Sequence, residues 1–210
     1  MSMTCCDIEA MPATKRTLLE AVVQLMLQQG YTATTVDQIC AKAGVTKGGF
    51  FHYFKNKEEI ARAALDFFSC CQSESFASFG LEKIDVPIKR LHLLFDGLEK
   101  MCASSETPDA CLVGMMAQEL AESNDAVRCC CEGHFNDFAD MITSLLKAAK
   151  KASPDAAKFD PKSVAWMTLS LMQGSMLVGK TRQDRKLILQ NIKHARSYID
   201  SLLGLASETA

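Results

Sequence analysis

The sequence predicts an all-α protein with a three-helix helix-turn-helix unit at its amino end and a larger helical part behind it. Three observations carry that expectation. Apolar residues recur at three- and four-residue steps, as in Leu18, Val22, Leu25 and Met26 and again in Ile88, Leu91, Leu94, Leu98 and Met101. That spacing lines one face of a helix. No comparable period-2 run of β-branched residues occurs. Residues that start and stop helices also fall between the apolar runs, at Gly30, Gly44, Asp85 with Pro87, Asp160 with Pro161, and Gly204.

The elements follow in order. A first helix carries Leu18 to Met26 and ends at Gly30. Thr35 followed by Gln38 is a capping box, so a short second helix begins near Val36, turns Ile39, Cys40 and Ala43 inward and stops at Gly44. Val45 packs the turn, and Thr46 caps another short helix running through Tyr53. Two short helices joined by a tight turn with glycine make a helix-turn-helix. Asn56 begins a longer helix, with Glu59 placed to complete its capping box. Further on, helices are expected from about Asp125 to Lys150, from Lys162 to Lys180 and from Gln183 to Leu203.

Composition excludes several classes. The chain has 210 residues, enough to bury a real core, and its 48% hydrophobic and 23% charged content is that of an ordinary globular protein. No stretch reaches the roughly 18 apolar residues of a membrane span, and the start MSMTCCDIEAMPATK has no leader pattern. A soluble, cytoplasmic protein without a membrane partner is expected. The ten cysteines sit as doublets, a triplet and singles, and reduced thiols are the expected state. A net charge of −2 gives no global sign of nucleic-acid binding, so any such activity must come from a local surface. There is no phosphate loop, no G-x-S-x-G elbow and no metalloprotease string, which argues against an enzyme; a thiol-dependent one is the remote alternative.

The stretch from Tyr31 to Ala64 contains choices that are poor for stability and sensible for DNA. Gly48 and Gly49 inside a two-turn helix each cost about 1 kcal/mol relative to alanine. Without side chains they let the backbone approach a groove wall. Phe50 and Phe54 need one face for burial, which turns at least two of Phe51, His52 and Tyr53 outward, and imidazole and phenol can donate to phosphate. Lys57 stands in a first helical turn, where the macrodipole disfavours a cation and a bound phosphate would welcome one.

The segment TTVDQICAKAGVTKGGFFHYFKNKEEI resembles the amino-terminal signature of the TetR/AcrR family of bacterial transcriptional regulators. It departs at Cys40, where alanine is usual, and at Phe51, where tyrosine is common. The resemblance implies a helix-turn-helix DNA-binding domain over residues 1–58 and an effector-binding and dimerisation domain over residues 59–210. It implies a homodimer on palindromic double-stranded operator DNA, most simply a repressor released by a small-molecule effector, hydrophobic or electrophilic. Carried residue by residue, it makes Thr35, Lys47, Gly48, Gly49, His52, Tyr53 and Lys57 the DNA contacts. It also makes the final helix pair half of a four-helix bundle with a twin, where Gly174, Ser175 and Gly179 would permit close approach or line a pocket. No cofactor is expected.

Sensing residues are less sharply marked. Met115, Met116, Met141, Met172 and Met176, with Trp166, offer adaptable apolar surface for a hydrophobic ligand or plain core. Cys111 begins CLVGMMAQEL, similar to the start of the sixth helix in family members that include electrophile and oxidant sensors. It is read as either a sensing thiol near a helix terminus, with Lys180 as candidate basic neighbour, or a small buried residue. The triplet Cys129–Cys131 lies early in a long helix, where 100° per residue sends its thiols in three directions. Cys131 joins the core stripe, Cys129 faces water, and Cys130 stands one turn before His134. Only Cys130 with His134 keeps metal or redox potential. No closed zinc spacing is present, and no metal site is expected.

Overall fold

A computed structural model describes residues 8, 10–104 and 110–205. The Cys5–Cys6 doublet lies outside the described residues. Among those described, the backbone forms nine α-helices and no strand. They are α1 (Ala13–Ala33), α2 (Val36–Ala43), α3 (Lys47–Tyr53), α4 (Lys57–Ser78), α5 (Pro87–Ala103), α6 (Leu112–Leu120), α7 (Asp125–Ala152), α8 (Pro161–Arg182) and α9 (Arg185–Leu202), with a 3-10 turn at Leu81–Lys83. The chain divides into two compact units, Met1–Ser75 with Cys111–His134, and Phe76–Ala110 with Phe135–Ala210. Among the described residues no helix is long and apolar enough to cross a membrane, and no disulfide joins two cysteines.

In the first unit α1 packs against α2, α3 and α6. Leu18, Leu19, Val22 and Met26 supply its buried face, each full burial contributing roughly 1.5–3 kcal/mol. The capping box at Thr35 forms as the sequence predicts: its hydroxyl accepts from Gln38 N at 3.2 Å, and Gln38 Oε1 accepts from Thr35 N at 2.9 Å. Gly44 ends α2 in the left-handed region at φ 65°. Thr46 caps α3 by accepting from Gly49 N at 3.2 Å. At the start of α4, Asn56 Oδ1 accepts from Glu59 N, while the Glu59 carboxylate accepts from Lys55 N, one residue before the amide of a regular capping box.

The regular course of the first helix ends at Gly30, as the sequence predicts: Gly30 is non-helical at φ 81°, ψ 175°, and a separate short turn follows it to Ala33. Glu119 on α6 caps that turn, its carboxylate accepting from the amides of Tyr31 at 2.9 Å and Thr32 at 3.0 Å. Those amides would otherwise be orphans at a new helix start. A Cβ at Gly30 would stand 2.2 Å from Glu119 Oε1. Gly30→Ala is therefore expected to lower unfolding free energy by about 1–3 kcal/mol, since that backbone region is essentially closed to other residues; urea denaturation with an unchanged m-value checks it.

In the second unit α9 packs against α8 and α5. Leu91, Leu94, Ile142, Ala165, Ile192 and Ile199 are buried together there. His92 Nε2 and Asp200 Oδ1, 2.7 Å apart, and Arg196 with Asp96, at 2.5 Å, tie α5 to α9. Asp160 caps α8 by accepting from Lys162 N and Ser163 N, with Pro161 in the first turn. Asp85 does not play the matching part for α5: the cap is Val86, which makes no side-chain cap bond, and Pro87 alone sets the entry. Helix α8 is apolar on two sides. Val164, Ala165, Leu169 and Met172 point inward, whereas Met167, Leu177 and Val178 are exposed.

The three small residues of α8 have separate uses. Gly179 is closed by its own unit, where a Cβ would meet Ile188 Cγ1 at 2.9 Å. Ser175 is buried, donating to Leu171 O and accepting from Asn191 Nδ2 at 2.9 Å. At Gly174 a Cβ would meet nothing within 4 Å, so it alone of the three leaves the outer surface low.

Candidate nucleic-acid interface

Helix α3 is held from behind by two aromatic anchors. Phe50 is fully buried, Phe54 nearly so, and their ring centroids lie 5.9 Å apart. With that side fixed, Lys47, Gly48, Phe51 and His52 are exposed. At about 100° per residue these four span an arc of roughly 140°. Tyr53 is half-buried, and its ring meets the His52 ring edge-on at 4.7 Å. Thr35 is also exposed, its hydroxyl engaged with Gln38. From Thr35 to Lys57 the chain carries four lysines against one aspartate, a local basic bias in a chain of net charge −2.

The two glycines of α3 prove different. A Cβ at Gly49 would stand 2.7 Å from Val45 Cγ1, so Gly49 is demanded by the turn's own packing. A Cβ at Gly48 would find only Thr46 Oγ1 at 3.9 Å. Among the described residues nothing requires a glycine at Gly48, and the bare backbone there is exposed. Phe51, which stands where the family commonly has tyrosine, is 54% exposed in the same arc.

Two lysines already have partners. Lys47 Nζ lies 2.8 Å from Asp37 Oδ1, an exposed ion pair between α3 and α2 that sequence reading did not pick out. Asp37 holds the ammonium above its ordinary pKa, first through the hydrogen bond and then through its charge. An exposed pair of this kind adds little to stability. Asp37→Asn is thus expected to leave the melting temperature unchanged, tighten DNA binding and steepen its salt dependence by about one counterion; anisotropy titrations at several salt concentrations read this. Lys57 is half-buried, its Nζ donating to Tyr31 O at 3.1 Å and standing 4.1 Å over the Tyr31 ring. It has an internal reason for its place in a first turn: it closes the end of α1.

The five sensing candidates do not share one unit. Cys111 and Met115, both half-buried, belong to the first, and Cys111 is the N-cap residue of α6. Trp166, Met172 and Met176 belong to the second, as does Lys180. Met172 is in the hydrophobic core with Met176 packed against it, and Trp166 is half-buried.

The thiol triplet separates as its helical phase predicts. Cys129 is exposed, Cys130 half-buried and Cys131 buried. Burial pushes the Cys131 thiol up to about 12, with Cys130 and Cys111 adding to the rise. Beside Cys130 the structure places a residue absent from the sequence reading, Asp66 of α4. Its Oδ1 lies 3.1 Å from His134 Nε2, which is 3.6 Å from Cys130 Sγ. Burial alone would lower the His134 imidazole, but the bonds and charges of Asp66 and Cys130 outweigh it and raise the pKa to about 9.

Two short helices at a tight turn, the second anchored by buried rings and exposed along the face that carries Lys47 and His52, define a helix-turn-helix DNA-binding regulator. The family model for "Bacterial regulatory proteins, tetR family" matches residues 18–64, and that for "Transcriptional regulator LmrA/YxaF-like, C-terminal domain" matches residues 87–194. The chain belongs to the TetR family of transcriptional regulators, proteins that act on DNA and are not enzymes.

Among its relatives, the transcriptional regulator AcuR of Cereibacter sphaeroides is 26% identical over 79% of this chain and 75% of its own length. The HTH-type transcriptional repressor DhaR of a Mycobacterium species is 29% identical over 80% of this chain and 83% of its own. The fold is shared with the regulatory protein TetR from Rhodobacter sphaeroides (TM-score 0.77, 23% identity, 91% of this chain and 99% of that one). It is also shared with the reduced form of NemR from E. coli (TM-score 0.76, 19% identity, 88% and 96%).

Proposed function

We propose that the protein is a cytoplasmic repressor that binds a palindromic operator as a homodimer and is released by a small-molecule effector. Residues 1–58 read the DNA and residues 59–210 hold the effector and the twin. The single observation that carries the DNA reading is the outward, internally unneeded backbone at Gly48, flanked by exposed Lys47, Phe51 and His52. Thr35, Tyr53 and Gly49 position or contact the phosphates beside it, and Lys57 joins them by exchanging Tyr31 O for a phosphate oxygen. Repression is favoured by the likeness to DhaR, a transcriptional repressor.

Dimerisation is supported by the exposed Met167, Leu177 and Val178 around open Gly174 on α8, an apolar strip left facing outward. In a dimer the two α3 helices must sit about 34–36 Å apart to enter successive major-groove faces. An effector that favours another spacing releases DNA, by no more than its difference in affinity for the two states. Within the second unit Trp166, Met172 and Met176 are the proposed contacts of an apolar effector; within the first, Cys111 with Met115 is the proposed place of reaction with an electrophilic one.

The test is a titration of labelled DNA from the gene's own upstream region. Tight, salt-sensitive binding at a palindrome, lost on adding an effector from a panel of apolar and electrophilic compounds, is the expected result. Absence of specific binding across salt and reductant conditions would sink the reading. Cys111→Ser separates the two effector chemistries: if only electrophile response disappears, Cys111 is the sensing thiol.

A further inference from the structure

The function above leaves one cluster unused. Asp66 on α4 and Cys130 and His134 on α7 all lie in the first unit, and their donor atoms converge. His134 Nε2 is 3.1 Å from Asp66 Oδ1, Cys130 Sγ is 3.6 Å from the same nitrogen, and Sγ is 3.9 Å from Oδ1. Cys130 and His134 are four residues apart on α7, the spacing that stacks two side chains on one helical face. Asp66 closes the triangle from the other helix.

From these distances and this donor set we propose that Asp66, Cys130 and His134 form a three-ligand site for a borderline transition dication, zinc above all. Zinc bound to sulfur at about 2.3 Å, and to nitrogen and oxygen at about 2.0–2.2 Å, requires tetrahedral edges of roughly 3.3–3.7 Å between its ligands. Each observed separation is within about 0.3 Å of such an edge, so the ion needs only small side-chain shifts. One nitrogen, one sulfur and one oxygen disfavour magnesium and calcium, which want all-oxygen shells. The fourth position is left for water or a small exogenous ligand. Access is available from the Asp66 side, which is 29% exposed, while the His134 side chain at 9% backs the site. Binding expels the thiol proton of Cys130 and the Nε2 proton of His134 and changes no oxidation state. The ion would fasten α4 to α7.

The experiment uses the full chain, reduced, stripped with chelator and titrated with Co(II) as spectroscopic probe. The expected result is one Co(II) per chain with tetrahedral visible bands and a near-ultraviolet thiolate charge-transfer band, all erased by one equivalent of Zn(II). Cys130→Ser should lose the charge-transfer band, Asp66→Asn and His134→Gln should each weaken binding at least tenfold, and Cys129→Ser should match the parent. Circular dichroism confirms folding, and the near-isosteric Cys130→Ser and Asp66→Asn decide the matter if His134→Gln does not fold. Bands that survive unchanged in both would place the ligands among other cysteines and overturn the site. So would an absence of Co(II) uptake, including the case where Cys130 alkylates readily and acts as a bare reactive thiol.

Discussion

Replacing Gly48 with alanine is expected to stabilise the protein and to weaken its grip on operator DNA at the same time. The two effects have separate origins. Within a helix, alanine is preferred to glycine by about 0.5–1 kcal/mol, and the new Cβ meets only Thr46 Oγ1 at 3.9 Å. Thermal unfolding should therefore move upward. The same methyl group occupies the edge of α3 that must lie against the groove wall, and operator affinity should fall at least tenfold, or about 1.4 kcal/mol. Gly48→Leu should abolish specific binding without unfolding the protein. Gly49→Ala is the control: its Cβ would crowd Val45 Cγ1 at 2.7 Å, so it should lose stability instead. Unaltered operator binding by both Gly48 variants would mean that this edge of α3 does not face DNA.

The second large effect is expected at Leu177. A charge placed in the exposed strip of Met167, Leu177 and Val178, as in Leu177→Arg, disturbs little packing inside the unit, because Leu177 is 51% exposed and the long arginine stem can cover the same surface. Helix content and melting of the isolated chain should change little, within the usual range for surface substitutions. In the proposed dimer the same arginine would be buried against a twin apolar face without a partner, a strongly unfavourable change. Sedimentation should show a monomer. Each monomer can hold only one half-site, and loss of the linked second contact should reduce operator affinity by about 10²–10⁴ fold. A dimer that persists would move the interface away from this face of α8.

What could be read in the sequence was local. Thr35 with Gln38, Thr46 ahead of α3 and Asp160 before Pro161 each announce a helix start within four residues, and the structure forms all three. The phase of α7 likewise separates Cys129, Cys130 and Cys131 correctly, since 100° per residue needs no tertiary information. What could not be read depended on residues brought together from afar. Glu119 caps the turn after Gly30 from 88 residues away, and Asp66 reaches Cys130 across 64. Neither leaves a mark at the spacing where helix or metal motifs are sought. The Tyr31 carbonyl that holds Lys57 lies 26 residues back, so the sequence shows the lysine in its first turn without the partner it has there. Gly48 and Gly49 are the same letter in sequence, and only the position of Val45 tells the structural glycine from the open one.

The cysteine triplet carries a built-in clock. Exposed Cys129 can meet a thiol reagent directly, whereas Cys131, with its thiol pushed up to about 12 and its side chain out of water, has almost no thiolate to offer at neutral pH. It can react only during the moments when the amino-terminal part of α7, up to His134, lifts from the core of the first unit. Its slow labelling therefore times those openings, and the ratio of its rate to that of an unfolded thiol converts into the free energy of a local excursion. Two positions along one helix thus report both the closed surface and the rare open state, and any effector, ion or DNA that steadies the first unit should be visible as a lengthening of that interval.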